Sequence, residues 1–269
     1  MIEQRHEESR EHWRDVWLAM EGSESHDVWY AVDEAKMAYL RPYLPESGRC
    51  LEVGCGTARL SRFLARRGYE VVGVDYEPEA LKLAQRRIVD DGVEIPLALG
   101  DAFALPFADG SFDVVLSTGL LEHFAHPSPI VDEMTRVLKP RGLFYSDIVP
   151  RKFALMRLFE ALTRHPREVW DRPFSRGQIG ELLRESGLTV KTVFAAGILP
   201  PPLPLVGRWR FGKRLEDRAA RAFIRLSSRL DGTSAAERLG IYYFACALKL
   251  NEAGAQARVN ESIAAGRAA

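Results

Sequence analysis

The spacing of hydrophobic positions changes near residue 48 and divides the chain into two parts. Residues 1–47 show the three-to-four spacing of amphipathic helices, with Trp13, Trp17 and Met20 on one face and charges elsewhere. A polar loop at 21–27 interrupts this pattern. From Arg49 onward, short apolar runs alternate with amphipathic segments. This alternation is typical of strand-helix-strand units that build a parallel sheet covered by helices on both faces.

Seven apolar runs in the second part are predicted to form strands. In chain order they read CLEVG, EVVGVD, PLALGD, FDVVLS, GLFYSDIV, LTVKTVFAA and IYYFACALKL. Helices are predicted between them, in one case after a serine cap. Their bounds are the glycine-rich turn to about Arg67, Pro78 to about Val89, Pro129 to Leu138, and the Ser175 cap to Glu185. The sequence therefore predicts an α/β fold of the Rossmann-like type.

The segment 197–240 departs from this alternation. It opens with the proline-rich ILPPPLPLVG, and residues 208–230 then carry eight Lys or Arg against two Asp or Glu. Helical spacing places the arginines of this stretch on one face, beside a row of Ala and Leu. The two rows are Arg214, Arg218, Arg221, Arg225 and Arg229, and Leu215, Ala219, Ala222 and Leu226. We interpret the basic face as solvated, with contact to a membrane surface or capture of an acidic substrate as the alternatives.

Composition limits the classes of function. A chain of 269 residues with 46% hydrophobic residues can bury one elaborated domain. Its 37 basic and 37 acidic residues balance, which argues against nucleic acid as a partner. No run approaches the roughly 20 apolar residues that a membrane span needs, and we expect a cytoplasmic protein. The three cysteines lack the spacing of metal ligands, so we expect buried reduced thiols and no metal site.

Two glycines after the first strand predict a ligand. Gly54 and Gly56 stand between CLEV and a predicted helix, where a missing Cβ lets a ligand approach the backbone and the helix presents free N–H groups. A dinucleotide fingerprint needs a third glycine where Arg59 stands, which argues against that ligand. Asp75 ends the second strand, where a carboxylate can accept bonds from both ribose hydroxyls. The ligand is therefore expected to contain a ribose.

Two further carboxylates narrow the choice of ligand. Glu52 lies two residues before Gly54, so strand alternation places both on the same side. An anion there repels a pyrophosphate and attracts a cation. Asp101 follows the third strand and can accept a hydrogen bond from the exocyclic amino group of an adenine. S-adenosylmethionine combines adenine, ribose and a cationic amino acid end, and has no phosphate.

The motifs LEVGCGTA, GVDYEP, GDAFALPFADGSFDVVLSTGLLEHF and VLKPRGLF occur in this order. In order and spacing, the sequence resembles the class I S-adenosylmethionine-dependent methyltransferases, in their small-molecule, methyltransferase type 11-like branch. The resemblance covers residues 45–150 most strongly. It implies a seven-stranded, mostly parallel sheet with helices on both faces and an antiparallel last strand. The family often has a third glycine at the position of Ala58.

The resemblance also implies the roles of individual residues toward the cofactor. It assigns Glu52, Gly54, Gly56 and Thr118 to the methionine end, Asp75 to the ribose hydroxyls, Tyr76 to the side of the adenine, Asp101 to the adenine amino group, and Ala102 or Phe103 to the ring. It also places the pair Glu122 and His123 beside the cofactor. The alternative interpretation is that both are solvated polar residues at the start of a helix.

Methyl transfer needs alignment of the reacting atoms above all, and a base only where the acceptor arrives protonated. His123 is the first candidate for that base and Tyr30 the second, because a histidine titrates near neutrality. We expect the helix carrying Trp13 and Trp17 to pack over an edge of the sheet. The alternative is a lid over the site, to which Trp29 and Tyr30 would contribute aromatic faces near the sulfonium.

The acceptor is expected to be a small molecule that is fairly large and partly apolar. In the resembled superfamily, enzymes that methylate bases or glutamine often carry an Asn/Asp-Pro-Pro-Tyr motif where this chain reads STGLLEH. We therefore expect O- or N-methylation, with residues 1–47 as a helical cap, 48–250 as the methyltransferase domain, 197–240 as an insertion at the substrate site and 251–269 as a flexible tail. The alternatives are an NAD(P)-dependent oxidoreductase and a non-catalytic S-adenosylmethionine-binding module.

Overall fold

A computed structural model of the chain describes residues 13–18, 27–149, 173–198 and 210–251. Its seven strands form one sheet in the order β3-β2-β1-β4-β5-β7-β6. Strand β7 runs antiparallel to β5 and β6, and the other pairings are parallel. The predicted seven-stranded arrangement with an antiparallel last strand is confirmed. The strands are β1 Arg49–Val53, β2 Glu70–Asp75, β3 Leu97–Leu99, β4 Phe112–Thr118, β5 Leu138–Ile148, β6 Leu188–Ala196 and β7 Tyr242–Lys249.

Helices connect the strands close to the predicted positions. The named helices are α1 Asp27–Leu40, α2 Arg59–Ala65, α3 Pro78–Asp90, α4 Ser128–Val137, α5 Arg176–Glu185, α6 Arg210–Ser227 and α7 Ser234–Leu239. Residues 13–18 are also helical. At the start of α5, the Ser175 side chain accepts from the backbone N–H of Gln178, whose own side chain accepts from the Ser175 N–H. This reciprocal capping box confirms the predicted cap. Met20 and most of the predicted tail lie outside the described residues.

Both faces of the sheet are buried, which explains why its central strands are almost wholly apolar. Leu51 and Val53 of β1 belong to one core cluster, while Cys50 belongs to the other. Glu52 shares the side of Cys50, because side chains alternate along a strand. That side is also covered by α1, through apolar residues of the same cluster such as Leu40. The three cysteines are free and buried, as predicted.

Helix α1 connects the central sheet to α6. The Tyr39 hydroxyl donates to the Ser228 carbonyl at 3.1 Å and to an Asp231 carboxylate oxygen at 2.5 Å. On α6, Ile224 and Ser227 are buried, and the Ser227 hydroxyl donates to the backbone just after β6. These contacts fix the orientation of α6. No helix within the described ranges is both long and apolar enough to cross a membrane.

Candidate functional site

The candidate site lies at the carboxyl ends of β1, β2 and β4, which are parallel neighbours. The turn after β1, residues 54–58 (the glycine turn), has three residues in the left-handed region: Gly54 at φ 65°, Gly56 at φ 50° and Ala58 at φ 53°. An L side chain in this region costs about 1–2 kcal/mol. This conformation explains why a glycine suits the position of Ala58, which nevertheless holds an alanine.

Asp75 links the end of β2 to the glycine turn. Its Oδ2 accepts a hydrogen bond from the Gly56 N–H at 2.8 Å, and its Oδ1 accepts from the Glu77 N–H at 3.0 Å. Burial raises the pKa of Asp75, and these backbone donors partly offset the rise. Each carboxylate oxygen has two lone pairs, so both can accept a further donor. Asp75 can therefore hold the glycine turn and, at the same time, accept hydrogen bonds from the two hydroxyls of a diol.

Glu52 is a buried carboxyl group next to the same turn, with 1% of its surface exposed. Its Oε2 accepts hydrogen bonds from the Ser61 N–H at 2.9 Å and from the Ser61 hydroxyl at 2.5 Å. The Thr118 hydroxyl donates to its Oε1 at 3.4 Å, so the structure brings these two predicted residues together. Burial raises the pKa of Glu52 to about 7. The site therefore contains a carboxyl group that a nearby cation would convert fully to its anion.

An open cleft of about 610 Å³ lies where β2 and β3 end, and Tyr76, which follows Asp75, is part of its lining. Asp101 also lines it, as does Arg14, a residue that sequence reasoning missed. Asp101 is exposed, and its Oδ1 accepts from the Phe103 N–H at 3.0 Å. Ala102 and Phe103 pack against the core cluster beside the cleft. Two of the predicted residues for the adenine, Tyr76 and Asp101, thus line one cleft, and Ala102 and Phe103 follow Asp101 directly in the chain.

The helical residues 13–18 lie over the glycine turn and not along an edge of the sheet, which corrects the preferred expectation for Trp13 and Trp17. A Cβ added to Gly56 would come within 2.8 Å of the Trp17 ring, so only a glycine permits this approach. Trp13 packs against Trp17 with ring centroids 5.8 Å apart, and edge-on against His123 at 4.9 Å. An aromatic wall therefore borders the site.

Of the two predicted bases, the structure places one at this wall. His123 follows β4 in a short 3-10 helix, is half-buried and contacts Trp13. Tyr30 belongs to α1, but its side chain lies outside the described part of the structure, as does that of Trp29. Glu122 is 1% exposed and accepts a hydrogen bond from the Val149 N–H at 3.0 Å, so the alternative that it is a solvated polar residue is wrong.

A buried ionic cluster ties α1 to the site, and sequence reasoning did not find it. Lys36 Nζ lies 2.5 Å from Asp147 Oδ2 and 3.6 Å from Asp33 Oδ1, and the guanidinium of Arg59 pairs with Asp33. Asp147 also accepts from the Gly119 N–H at 2.8 Å. The signal was present in the sequence, because these charges occur at positions where helical or strand periodicity requires core residues.

The Arg59 contact also explains how a charged residue replaces the third glycine of a dinucleotide fingerprint. Its guanidinium turns toward Asp33 on α1 and stays about one-third exposed.

Across the described ranges, no three His, Cys, Asp or Glu side chains are grouped as metal ligands.

Comparisons with known proteins concern the sequence and the fold of the chain. A family model described as a methyltransferase domain matches residues 51–146. A ubiquinone biosynthesis O-methyltransferase of Xanthomonas axonopodis pv. citri is 31% identical over 202 residues, which cover 70% of this chain and 80% of the relative.

Solved structures share the fold at lower identity. One is a complex of a Haloferax volcanii methyltransferase with the activator Trm112: TM-score 0.61, 21% identity, 90% of this chain and 96% of the other covered. Another is a S-adenosylmethionine-dependent methyltransferase of Methanosarcina mazei, with a TM-score of 0.57, 22% identity, and 80% and 98% covered. The fold, the motifs and the closer relative all point to one family.

Proposed function

This chain belongs to the class I S-adenosylmethionine-dependent methyltransferases and acts on a small molecule, and we propose that it methylates a hydroxyl oxygen of a partly apolar acceptor. The relative from Xanthomonas is named as an O-methyltransferase of ubiquinone biosynthesis, and its name supports oxygen as the accepting atom. The aromatic wall of Trp13 and Trp17 supports an acceptor with apolar surface.

The chemistry of the donor set fits S-adenosylmethionine. Glu52 and the glycine turn would hold the cationic amino acid end, together with Thr118, and Asp75 would accept from the ribose hydroxyls. Tyr76 and Asp101 would flank the adenine, with Ala102 or Phe103 against its ring. This proposal extends the family roles to these residues one by one.

The observation that carries the cofactor assignment is the buried Glu52 carboxyl next to the glycine turn. An anion at this position opposes a pyrophosphate, so the turn is unsuited to a dinucleotide. It favours a ligand with a positive charge and no phosphate, because Coulomb attraction is stronger in a site of low dielectric constant than in water.

When bound, S-adenosylmethionine supplies a methyl group on a sulfonium, which is an excellent leaving group. The protein then has to align the acceptor oxygen with that methyl group and exclude water, a contribution of up to about 7–11 kcal/mol in favourable cases. We propose that His123 accepts the proton of the acceptor hydroxyl as the oxygen gains the methyl group. Its place beside Trp13 supports this role, and Tyr30 remains the second candidate.

The test combines binding with product analysis. We expect calorimetry to show tight binding of S-adenosylhomocysteine and no binding of NAD. Incubation with S-adenosylmethionine and a panel of hydroxylated and amino-substituted aromatic compounds should then give methyl ethers, identified by mass spectrometry and NMR. Methylation confined to the amines would contradict the oxygen assignment, and binding of NAD alone would contradict the cofactor assignment.

The role of His123 is tested on the first accepted substrate. We expect His123→Ala to lower kcat by about 10²–10⁴-fold, since a positioned base contributes that factor, with the affinity for S-adenosylhomocysteine unchanged. His126→Ala is the matched control, because His126 is three residues further on and exposed. Equal kcat values for the two variants would remove His123 from the mechanism.

A further inference from the structure

Helix α6 carries an apolar face in addition to the one that packs on the protein. The packed side contains Ile224 and Ser227, both buried, and the Arg225 guanidinium lies 3.1 Å from Glu34 of α1. The Ser227 hydroxyl donates to the Ile198 carbonyl at 3.0 Å. One side of α6 therefore packs against the rest of the protein. Since the contact with α1 is already made, the exposed apolar residues of α6 are not explained by the absence of that contact.

The exposed side carries large apolar residues in a row. Phe223, Leu226 and Leu230 are 36%, 62% and 46% exposed, and Ala219 and Ala222 beside them are exposed as well. Spacings of three and four residues place them along one continuous ridge. Scattered apolar residues are normal on a protein surface, but a contiguous patch indicates a site of interaction. The interpretation of the basic face as solvated does not explain why large apolar residues are exposed beside it.

Positive charge runs along one edge of the ridge. Arg218, Arg225 and Arg229 are spaced by seven and four residues, so they form a line beside the exposed leucines, and all three are exposed. The sequence from Arg218 to Leu230 contains no Asp or Glu, although the whole chain has no net charge. The charge is therefore concentrated locally, and it is complementary to a negatively charged surface.

We propose that this face of α6 and of the short 3-10 helix that follows it, residues 218–230, docks the protein on an anionic phospholipid bilayer. In such a complex the ridge enters the boundary between headgroups and acyl chains, and the arginines contact lipid phosphates. A nucleic acid would match the charges but would leave Leu226 and Leu230 without an apolar contact. The proposal goes beyond the methyl transfer and does not require it. An apolar acceptor dissolved in the same bilayer would then lie close to α1, which contacts both α6 and the site.

Vesicle co-sedimentation of the full chain tests the proposal. We expect binding to vesicles that mix phosphatidylcholine with phosphatidylglycerol, and at least tenfold weaker binding to phosphatidylcholine alone. Leu226→Gln should weaken binding to the mixed vesicles at least tenfold, because the variant no longer inserts a leucine side chain into the apolar part of the bilayer. Val89→Gln on α3 is its matched control, since Val89 is 68% exposed and lies on another helix.

The double variant Arg218→Gln/Arg229→Gln should weaken binding to the mixed vesicles by about 25-fold, or fivefold per arginine, as expected near an anionic surface. It leaves Arg225 and its contact with Glu34 in place. Arg86→Gln/Arg176→Gln, which removes two exposed arginines elsewhere, should bind as the wild type does.

Three results would overturn the proposal: no binding of the wild type to mixed vesicles, equal binding of Leu226→Gln and Val89→Gln, or a wild-type dimer in sedimentation velocity that Leu226→Gln turns into a monomer. The last result would assign the face to a second copy of the chain. Calorimetry with S-adenosylhomocysteine on the same samples separates the two proposals. Cofactor binding without vesicle binding refutes only the membrane surface, and the reverse refutes only the cofactor site.

Discussion

Replacement of Glu52 by glutamine tests the electrostatic basis of the cofactor site most directly. The side chain is buried, and its Oε2 receives both hydrogen bonds from Ser61, which the carbonyl oxygen of a glutamine can also accept. The Thr118 hydroxyl, which donates to Oε1, would instead accept from the glutamine amide. The variant therefore removes the ionisable proton with little change in volume. If the cationic end of the cofactor binds beside Glu52, it selects the carboxylate form of that group.

The size of the effect follows from the pKa of Glu52, which burial raises to about 7. With that pKa, about 3% of the molecules carry the carboxylate at pH 5.5 and about 76% at pH 7.5. If the cofactor binds the carboxylate form, its affinity should rise about 25-fold over this interval, or about 1.9 kcal/mol. Binding at pH 7 should also release about half a proton, because the cation lowers the pKa of Glu52.

The assay is calorimetry with S-adenosylhomocysteine, which keeps the cationic amino group, at pH 5.5 and 7.5. Buffers with different ionisation enthalpies measure the released proton. Glu52→Gln should bind more weakly at pH 7.5 and lose most of the pH dependence, while circular dichroism confirms its fold. An equal rise of affinity with pH in the variant would refute the reasoning, since another group would then titrate.

The same linkage makes a prediction about the ligand-free protein. The folded protein holds the Glu52 proton up to about pH 7, whereas the unfolded chain loses it near the ordinary glutamate pKa of 4.5. The contribution of Glu52 to stability is therefore fully present below about pH 4.5, falls as the pH rises to about 7, and becomes a constant cost above it.

Three further predictions concern other parts of the site and the fold. Asp75→Ala should raise the Kd for S-adenosylhomocysteine by about 5–150-fold, since charged hydrogen bonds are lost, and an unchanged Kd in calorimetry would contradict the ribose assignment. Gly197→Ala should destabilise the fold by about 2–5 kcal/mol in urea melts, because φ is 79° and the new Cβ would lie 2.3 Å from the Tyr242 ring. Gly187→Ala, at φ 80° with open space, should cost only about 1–2 kcal/mol, and equal losses would exclude the steric reason. Trp17→Phe should remove most of the fluorescence change that S-adenosylhomocysteine causes, and an unchanged signal would place Trp17 outside the site.

The strands and the glycine turn were predictable because their signals are local. The apolar run ending in Val53 must be covered on both faces, and Gly54 and Gly56 must adopt backbone angles that other residues resist. Asp75 was predictable for a related reason, since a parallel sheet brings the ends of neighbouring strands together. The antiparallel last strand came from the family resemblance, because strand order depends on contacts between residues far apart in the sequence.

The sequence alone therefore determined which segments form strands, where the glycine turn lies and which carboxylates follow the strands, since the period of apolar residues and the backbone freedom of glycine are local properties. Only the tertiary structure decided which residues each helix contacts. It brought Trp17 to Gly56 and Lys36 to Asp147, and it turned Leu226 of α6 outward. Helical periodicity shows which residues share a face, but the packing of the whole chain decides which face is buried, because that choice depends on surfaces distant in the sequence.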